Sequence, residues 1–128
     1  SLRGHGPGFD PAAALCFGWE DNNPLEVIAL PGGQQGGLPA GCHSFIEADP
    51  EGAILTCMKV AEEEGLIVRL WDCSGDGGPA FVRVAGLGAL RDARLLERDR
   101  ATLRVEDVMV EVPIRERGLA TVRLLIGE

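Results

Sequence analysis

Eleven residues, Glu62-Glu63-Glu64-Gly65-Leu66-Ile67-Val68-Arg69-Leu70-Trp71-Asp72, constrain the fold more than any other part of the chain. An acidic turn runs into a segment with a two-residue period. Leu66, Val68 and Leu70 fall on one face, and Ile67, Arg69 and Trp71 on the other. A strand with apolar character on both faces is expected inside a sheet, because an edge strand usually keeps one solvated face. The Glu run and Gly65 read as a tight, solvated reversal of the chain.

The same plan repeats on both sides. Ala13 to Trp19 is a short apolar run and an expected strand, closed by the turn Asp21-Asn22-Asn23-Pro24. Leu25, Val27 and Ala29 alternate with Glu26 and Ile28, which predicts a strand ending at Pro31. Gly32 to Gly41 holds five glycines and reads as a flexible loop. Cys42 to Ala48 and Ala53 to Val60 are expected strands around the turn Asp49-Pro50-Glu51-Gly52. Later come Ala80, Val82 and Val84 on one face, the segment Ala101 to Glu106, and Val108, Val110 and Val112, with Pro113 closing or edging that strand. Leu119 to Ile126 ends the series. The window Leu87 to Arg98 has neither a clean helical nor a clean strand face, and its β surroundings favour strand. The sum is an all-β chain, an antiparallel β-sandwich of about eight or nine short strands at the spacing such folds use.

Composition narrows the function classes. A chain of 128 residues is about one domain and buries roughly two thirds of its unfolded surface. A net charge of -8, with 11 scattered Arg and the single Lys59, argues against nucleic acid and anionic membranes as partners. No stretch approaches the ~20 apolar residues of a membrane span, and no charged-then-apolar leader opens the chain. This reads as a soluble, intracellular-type domain. The Ser1-Leu2 start, without Met, suggests an excised piece. Cys16, Cys42, Cys57 and Cys73 are too widely spaced for a zinc knuckle and are expected as free, mostly buried thiols.

Several constellations bear on chemistry. Gly86-Leu87-Gly88-Ala89-Leu90-Arg91 follows a strand as a dinucleotide fingerprint would, but Arg91 stands where the third small residue belongs. A Gly-rich turn accounts for it better. Cys42 and His43 are neighbours on an expected strand and so point to opposite faces. Glu47, Asp49 and Glu51 with Glu62 to Glu64 make an acidic surface without the alternating ligands of a calcium loop. Trp19 and Trp71 are the only large stacking rings, and both are expected in a core or interface.

A family resemblance covers the chain from about residue 5 to residue 126. The acidic turn and strand Glu62 to Asp72 resemble a segment near the C-terminus of family 38 glycoside hydrolases, the α-mannosidases. In the same order, Asn22-Asn23-Pro24-Leu25 is similar to the family's Asn-x-Pro-Leu turn. Ser44-Phe45-Ile46 and Ile54 to Val60, with Lys59 and Glu62, resemble two following strands. Leu95-Leu96-Glu97 and Ala120-Thr121-Val122-Arg123-Leu124 resemble the closing steps, and His5-Gly6 is similar to a lead-in element. Gly118-Leu119 departs from the pattern, since the family tends to carry an acidic residue there.

The resemblance implies a parent enzyme, a cytoplasmic, retaining α-mannosidase acting on mannose-containing oligosaccharides. In it zinc orients the mannose and a carboxylate forms a glycosyl-enzyme intermediate. Both belong to an N-terminal catalytic domain without matching positions here. No catalytic, cofactor-binding or metal residue is therefore carried over, no cofactor is expected in this piece, and it is expected to be inactive alone. The implied division is residues 1-21 as irregular lead-in and first strand from a preceding β-domain, and residues 22-128 as the C-terminal β-sandwich domain. The implied partners are the catalytic and central β-domains of the same polypeptide, the mannoside through the parent, and a second copy as a homo-oligomer. The rival readings are a free-standing carbohydrate-binding module, which needs an exposed Trp19 or Trp71, and a small enzyme built around Glu97, Asp72 or His43.

Overall fold

The computed structural model describes residues 2–33, 36–39, 41–49, 52–96 and 101–127. The chain divides into two compact units, Ser1–Ser44 and Phe45–Glu128.

In the first unit the structure corrects the expected strand at Ala13 to Trp19. These residues lie in a helix, α1 (Pro11–Asn22). Asp10 caps it, its Oδ1 accepting from Ala13 N at 3.1 Å, and Pro11 opens it where a missing N–H costs nothing. Asn23 closes it by donating its backbone N–H to Trp19 O at 3.0 Å. The expected strand from Leu25 to Ala29 is also corrected. The segment forms no strand, and Leu25, Val27 and Ile28 are exposed. Its alternation is real, but a strand needs a partner, and among the described residues of this unit there is none. In the Gly32 to Gly41 loop, Gln34, Gln35 and Ala40 lie outside the described residues, and the others form no helix or strand.

The second unit is the sandwich. Its strands are β1 (Ile46–Asp49), β2 (Ala53–Val60), β3 (Leu66–Asp72), β4 (Gly78–Val84) and β5 (Ala89–Leu95), then β6 (Ala101–Thr102), β7 (Val105–Glu106), β8 (Met109–Ile114) and β9 (Leu119–Gly127). One sheet has the order β1-β4-β8-β7 and the other β2-β3-β9-β5-β6. Every pairing is antiparallel. As the two-faced pattern predicts, β3 is an interior strand, between β2 and β9.

The core is what the alternation requires. Val68 and Leu70 of β3 meet Val122 and Leu124 of β9, and Val82, Val84, Val110 and Val112 close on them from the other sheet. All eight are essentially without solvent contact. Valine dominates because a β-branched side chain loses little rotamer freedom on a pleated surface and packs well across strands. Pro113 sits opposite Pro79 on β4, past the two residues where β7 pairs with β8, so its missing N–H leaves no ladder bond unmade.

Three boundaries differ from the sequence reading. The strand expected from Cys42 begins at Ile46. The segment Ala101 to Glu106 is two short strands in different sheets. Leu103 N still bonds Ala93 O, while Arg104 O already accepts from Glu111 N across the sandwich. The window at Leu87 to Arg98 does contain a strand, with a register shift between Leu90 and Asp92; Glu97 and Arg98 lie outside the described residues. Pro50 and Glu51 of the expected turn lie outside them too.

Gly65 shows why the acidic turn must end in glycine. Its φ is +97°, and a Cβ there would run into the carbonyl oxygen of Leu124 on β9. Among the described residues, no helix is long and apolar enough to cross a membrane.

Candidate functional site

The strongest polar constellation in the sandwich is built on Asp72, the last residue of β3. It is a buried carboxylate, 5% exposed. Its Oδ1 accepts from Ser74 N at 3.1 Å, Ser74 Oγ at 2.6 Å and Gly75 N at 3.2 Å. Its Oδ2 accepts from Gly77 N at 3.0 Å and Arg117 N at 2.9 Å. The backbone joins in: Asp72 N donates to Gly118 O, and Cys73 N donates to Gly52 O. One side chain thus ties the β3–β4 loop to the β8–β9 turn, while its neighbour ties the same point to the start of β2.

The electrostatics follow from this geometry. Burial works to raise the Asp72 carboxyl pKa. The hydrogen bonds from Ser74, Arg117, Gly77 and Gly75 oppose it, and the net position lies below the ordinary 3.8. Both oxygens are saturated with donors. Such a group holds no spare proton for a general acid and no free lone pair for attack. Asp72 is a structural staple. The adjoining cavity, beside Ser74, Pro79 and Ile114, measures about 20 Å³, room for about one water.

The other sequence candidates are dispersed. Gly86 and Gly88 have φ of 71° and 103° and form a turn into β5, a strand, so the helix that a pyrophosphate site needs is absent at that place. Glu47 pairs with Arg83, Nη2 to Oε2 at 2.8 Å, and Glu63 with Arg123, Nη1 to Oε2 at 2.7 Å. The acidic surface is therefore partly spent in ion pairs, and Glu51 lies outside the described residues. So does Glu97, a third would-be acid. His43 belongs to the first unit and Asp72 to the second. Among the described residues, no group of three or more His, Cys, Asp or Glu is gathered to hold a metal. Trp19 and Trp71 are both half-buried.

None of the four cysteines is in a disulfide. The expectation that most are buried is corrected: only Cys73 is buried, Cys16 and Cys57 are half-buried, and Cys42 is exposed.

The first unit has a larger cavity of its own, about 280 Å³, lined by Arg3, His5, Phe9, Asp10, Ala13 and Phe17 among others. Its polar groups are engaged locally. His5 Nδ1 lies 2.7 Å from Gly6 O, Asp10 caps α1, and the Arg3 guanidinium sits 6.0 Å from the centre of the Phe17 ring.

Sequence reasoning missed the staple, treating Asp72 only as a would-be acid. The signal was present in Asp72-Cys73-Ser74-Gly75, where an Asp followed by Ser and Gly favours a side chain folding back on the next amides.

Neither a curated protein nor a solved structure matches the chain. A family model described as the glycosyl hydrolases family 38 C-terminal beta sandwich domain matches residues 52–122, from the β1–β2 turn into β9. That span lies inside the two-sheet unit and covers more than half of the chain. The chain therefore belongs to the family of C-terminal β-sandwich domains of family 38 glycosyl hydrolases.

Proposed function

We propose that this chain is the non-catalytic C-terminal β-domain of a retaining, zinc-dependent α-mannosidase acting on mannose-containing oligosaccharides in the cytoplasm. Its role is structural support for the catalytic and central β-domains of its own polypeptide. Residues 22-128 form the domain in this reading, and residues 1-21 lead in from the domain before it. Family membership supports a glycosidase parent. The observation that carries the non-catalytic part is the state of Asp72. Among the described residues of the sandwich it is the one buried carboxylate, and both its oxygens are committed to loop amides and a hydroxyl.

A glycosidase needs two carboxylates flanking the scissile bond, one of them with its pKa raised so that it can protonate the leaving oxygen. Asp72 is shifted the other way. Zinc in the parent supplies orientation of the mannose. The donors of this chain do not fit a zinc site among the described residues, so no step is assigned to them. A carbohydrate-binding module is less well supported, since a stacking platform wants an open ring and both Trp are half-buried.

The test is hydrolysis of p-nitrophenyl-α-mannoside by this chain and by the full-length polypeptide, each with and without a zinc chelator. The expected result is turnover by the full-length protein alone, abolished by the chelator. Turnover by this chain would overturn the reading.

A further inference from the structure

The outer faces of the two sheets carry opposite charge. On the four-stranded sheet the register places Glu47, Asp49, Glu106 and Glu111 outward with Arg83. Arg104, ion-paired with Glu106, joins them there. On the five-stranded sheet the register sets Lys59, Arg69, Arg94 and Arg123 outward, with Arg94 directly opposite Arg123. Arg91, at the register shift of β5, lies over Gly127 on the same side. Against these five cations stand Asp92, paired with Arg94 at 2.9 Å, and Glu63, paired with Arg123. A chain of net charge -8 thus concentrates positive charge on one face of one sheet.

That face also has an apolar end, where Ile54, Trp71 and Leu119 stand in one cross-strand row and Leu119 is 57% exposed. Arg123 is the hinge of the arrangement. Its side chain is 17% exposed and gives Nη1 to Glu63, while among the described residues its buried Nε has no hydrogen-bond partner. The exposed cations of the face are Lys59, Arg69, Arg91 and Arg94, and carboxylates on an incoming surface match them. The cavities beside Ser74 and in the first unit are lined by other residues. Aromatic, aliphatic and Arg side chains gathered on one sheet face are the composition of a protein interface.

We propose that the outer face of the five-stranded sheet is the surface by which this domain docks, and that its occupant is a carboxylate-bearing protein surface on another domain of the same polypeptide. The proposal rests on the structural-domain reading above. It adds which of the two outer faces is covered and by what chemistry.

Lys59, the only lysine in the chain, stands on this face and is exposed, which makes the test direct. The full-length polypeptide is treated with a zero-length carbodiimide and the cross-linked peptides are mapped by mass spectrometry. The expected result is a bond from Lys59 to an Asp or Glu outside this chain. The double variant R69E/R94E should lower its yield by about ten-fold, because like charges would then meet across the contact. E111R, on the opposite sheet, should change it by less than about two-fold.

Cross-links from Asp49 or Glu111 to lysines of other domains, with none from Lys59, would overturn the proposal and leave the structural-domain reading standing. A Lys59 bond between two copies, identified by mixing isotopically labelled and unlabelled protein, would overturn it in favour of self-association. No cross-link from either face, with a domain that elutes separately after limited proteolysis, would overturn both. If the double variant fails to fold by circular dichroism, the map of the unaltered polypeptide decides alone.

Discussion

Asp72→Asn removes one charge and almost no volume, so its effect isolates the staple. An amide keeps one acceptor oxygen and turns an NH2 group toward donors that the other oxygen served. With the NH2 at the Oδ2 position, Gly77 N and Arg117 N lose their acceptor; at the Oδ1 position, Ser74 N, Ser74 Oγ and Gly75 N lose theirs. At least two donors are therefore orphaned in a site that is 5% exposed. A hydrogen bond to a charged group contributes about 1.5–3 kcal/mol, so the loss should be about 3–5 kcal/mol at neutral pH. For a sandwich of this size that lowers the midpoint of thermal unfolding by about 12 °C or more. The pH dependence gives a second, independent check. The folded pKa lies below 3.8, so the carboxylate's contribution is complete above that value and is lost as pH falls through the folded pKa. The two proteins should converge in acid, the gap shrinking as pH drops below 3.8. Urea unfolding of both proteins at neutral pH and in acid measures this. A difference under about 1 kcal/mol at neutral pH, or a gap that does not change with pH, would refute the reasoning.

Three other outcomes follow from the packing. Gly65→Ala forces a side chain into a backbone at φ +97° and against Leu124 O, and should cost about 2 kcal/mol or more in a thermal melt. Leu70→Ala empties a position with no solvent contact between the sheets and should cost about 2–5 kcal/mol in denaturant unfolding, with the spread set by how far the valines around it relax. In the native protein Cys42 should react with an aromatic disulfide reagent first. Cys73, buried and donating its thiol to Gly52 O at 3.1 Å, should react last, which stopped-flow absorbance after single-cysteine replacement would assign.

The strands that could be read from sequence are those whose two faces meet different surroundings. In β8 the buried Val110, Val112 and Ile114 alternate with exposed Met109, Glu111 and Pro113, and the period reports the sheet directly. Ala101 to Glu106 keeps its period while the chain passes from one sheet to the other, because alternation records the direction of side chains and not the identity of the neighbour. The helix at the start has its signals in the sequence. Asp10-Pro11 is a cap followed by the residue best suited to open a helix, and three alanines follow. The apolar composition of the run outweighed those signals. The paired arginines were not legible at all. Arg69, Arg94 and Arg123 are scattered through the sequence and become neighbours only through the registers of β3, β9 and β5.

The location of charge bears on what kind of domain this is. In a catalytic sandwich the ionisable groups that matter would be withdrawn from solvent, crowded together and pulled toward opposite protonation states. Here the withdrawn carboxylate, Asp72, is held ionised by amides and one hydroxyl and serves the loops around it. The carboxylates of Glu47, Glu63 and Asp92 stand at or near the surface in pairs with arginine. Such pairs contribute little to the fold, since exposed ion pairs are worth about 0–1 kcal/mol. Their arrangement by face therefore has little to do with stability. A sheet whose outer side gathers five cations on an acidic chain is better explained by what it meets outside than by what it holds inside. On the proposed reading, that polarised face is where the domain meets the rest of its polypeptide.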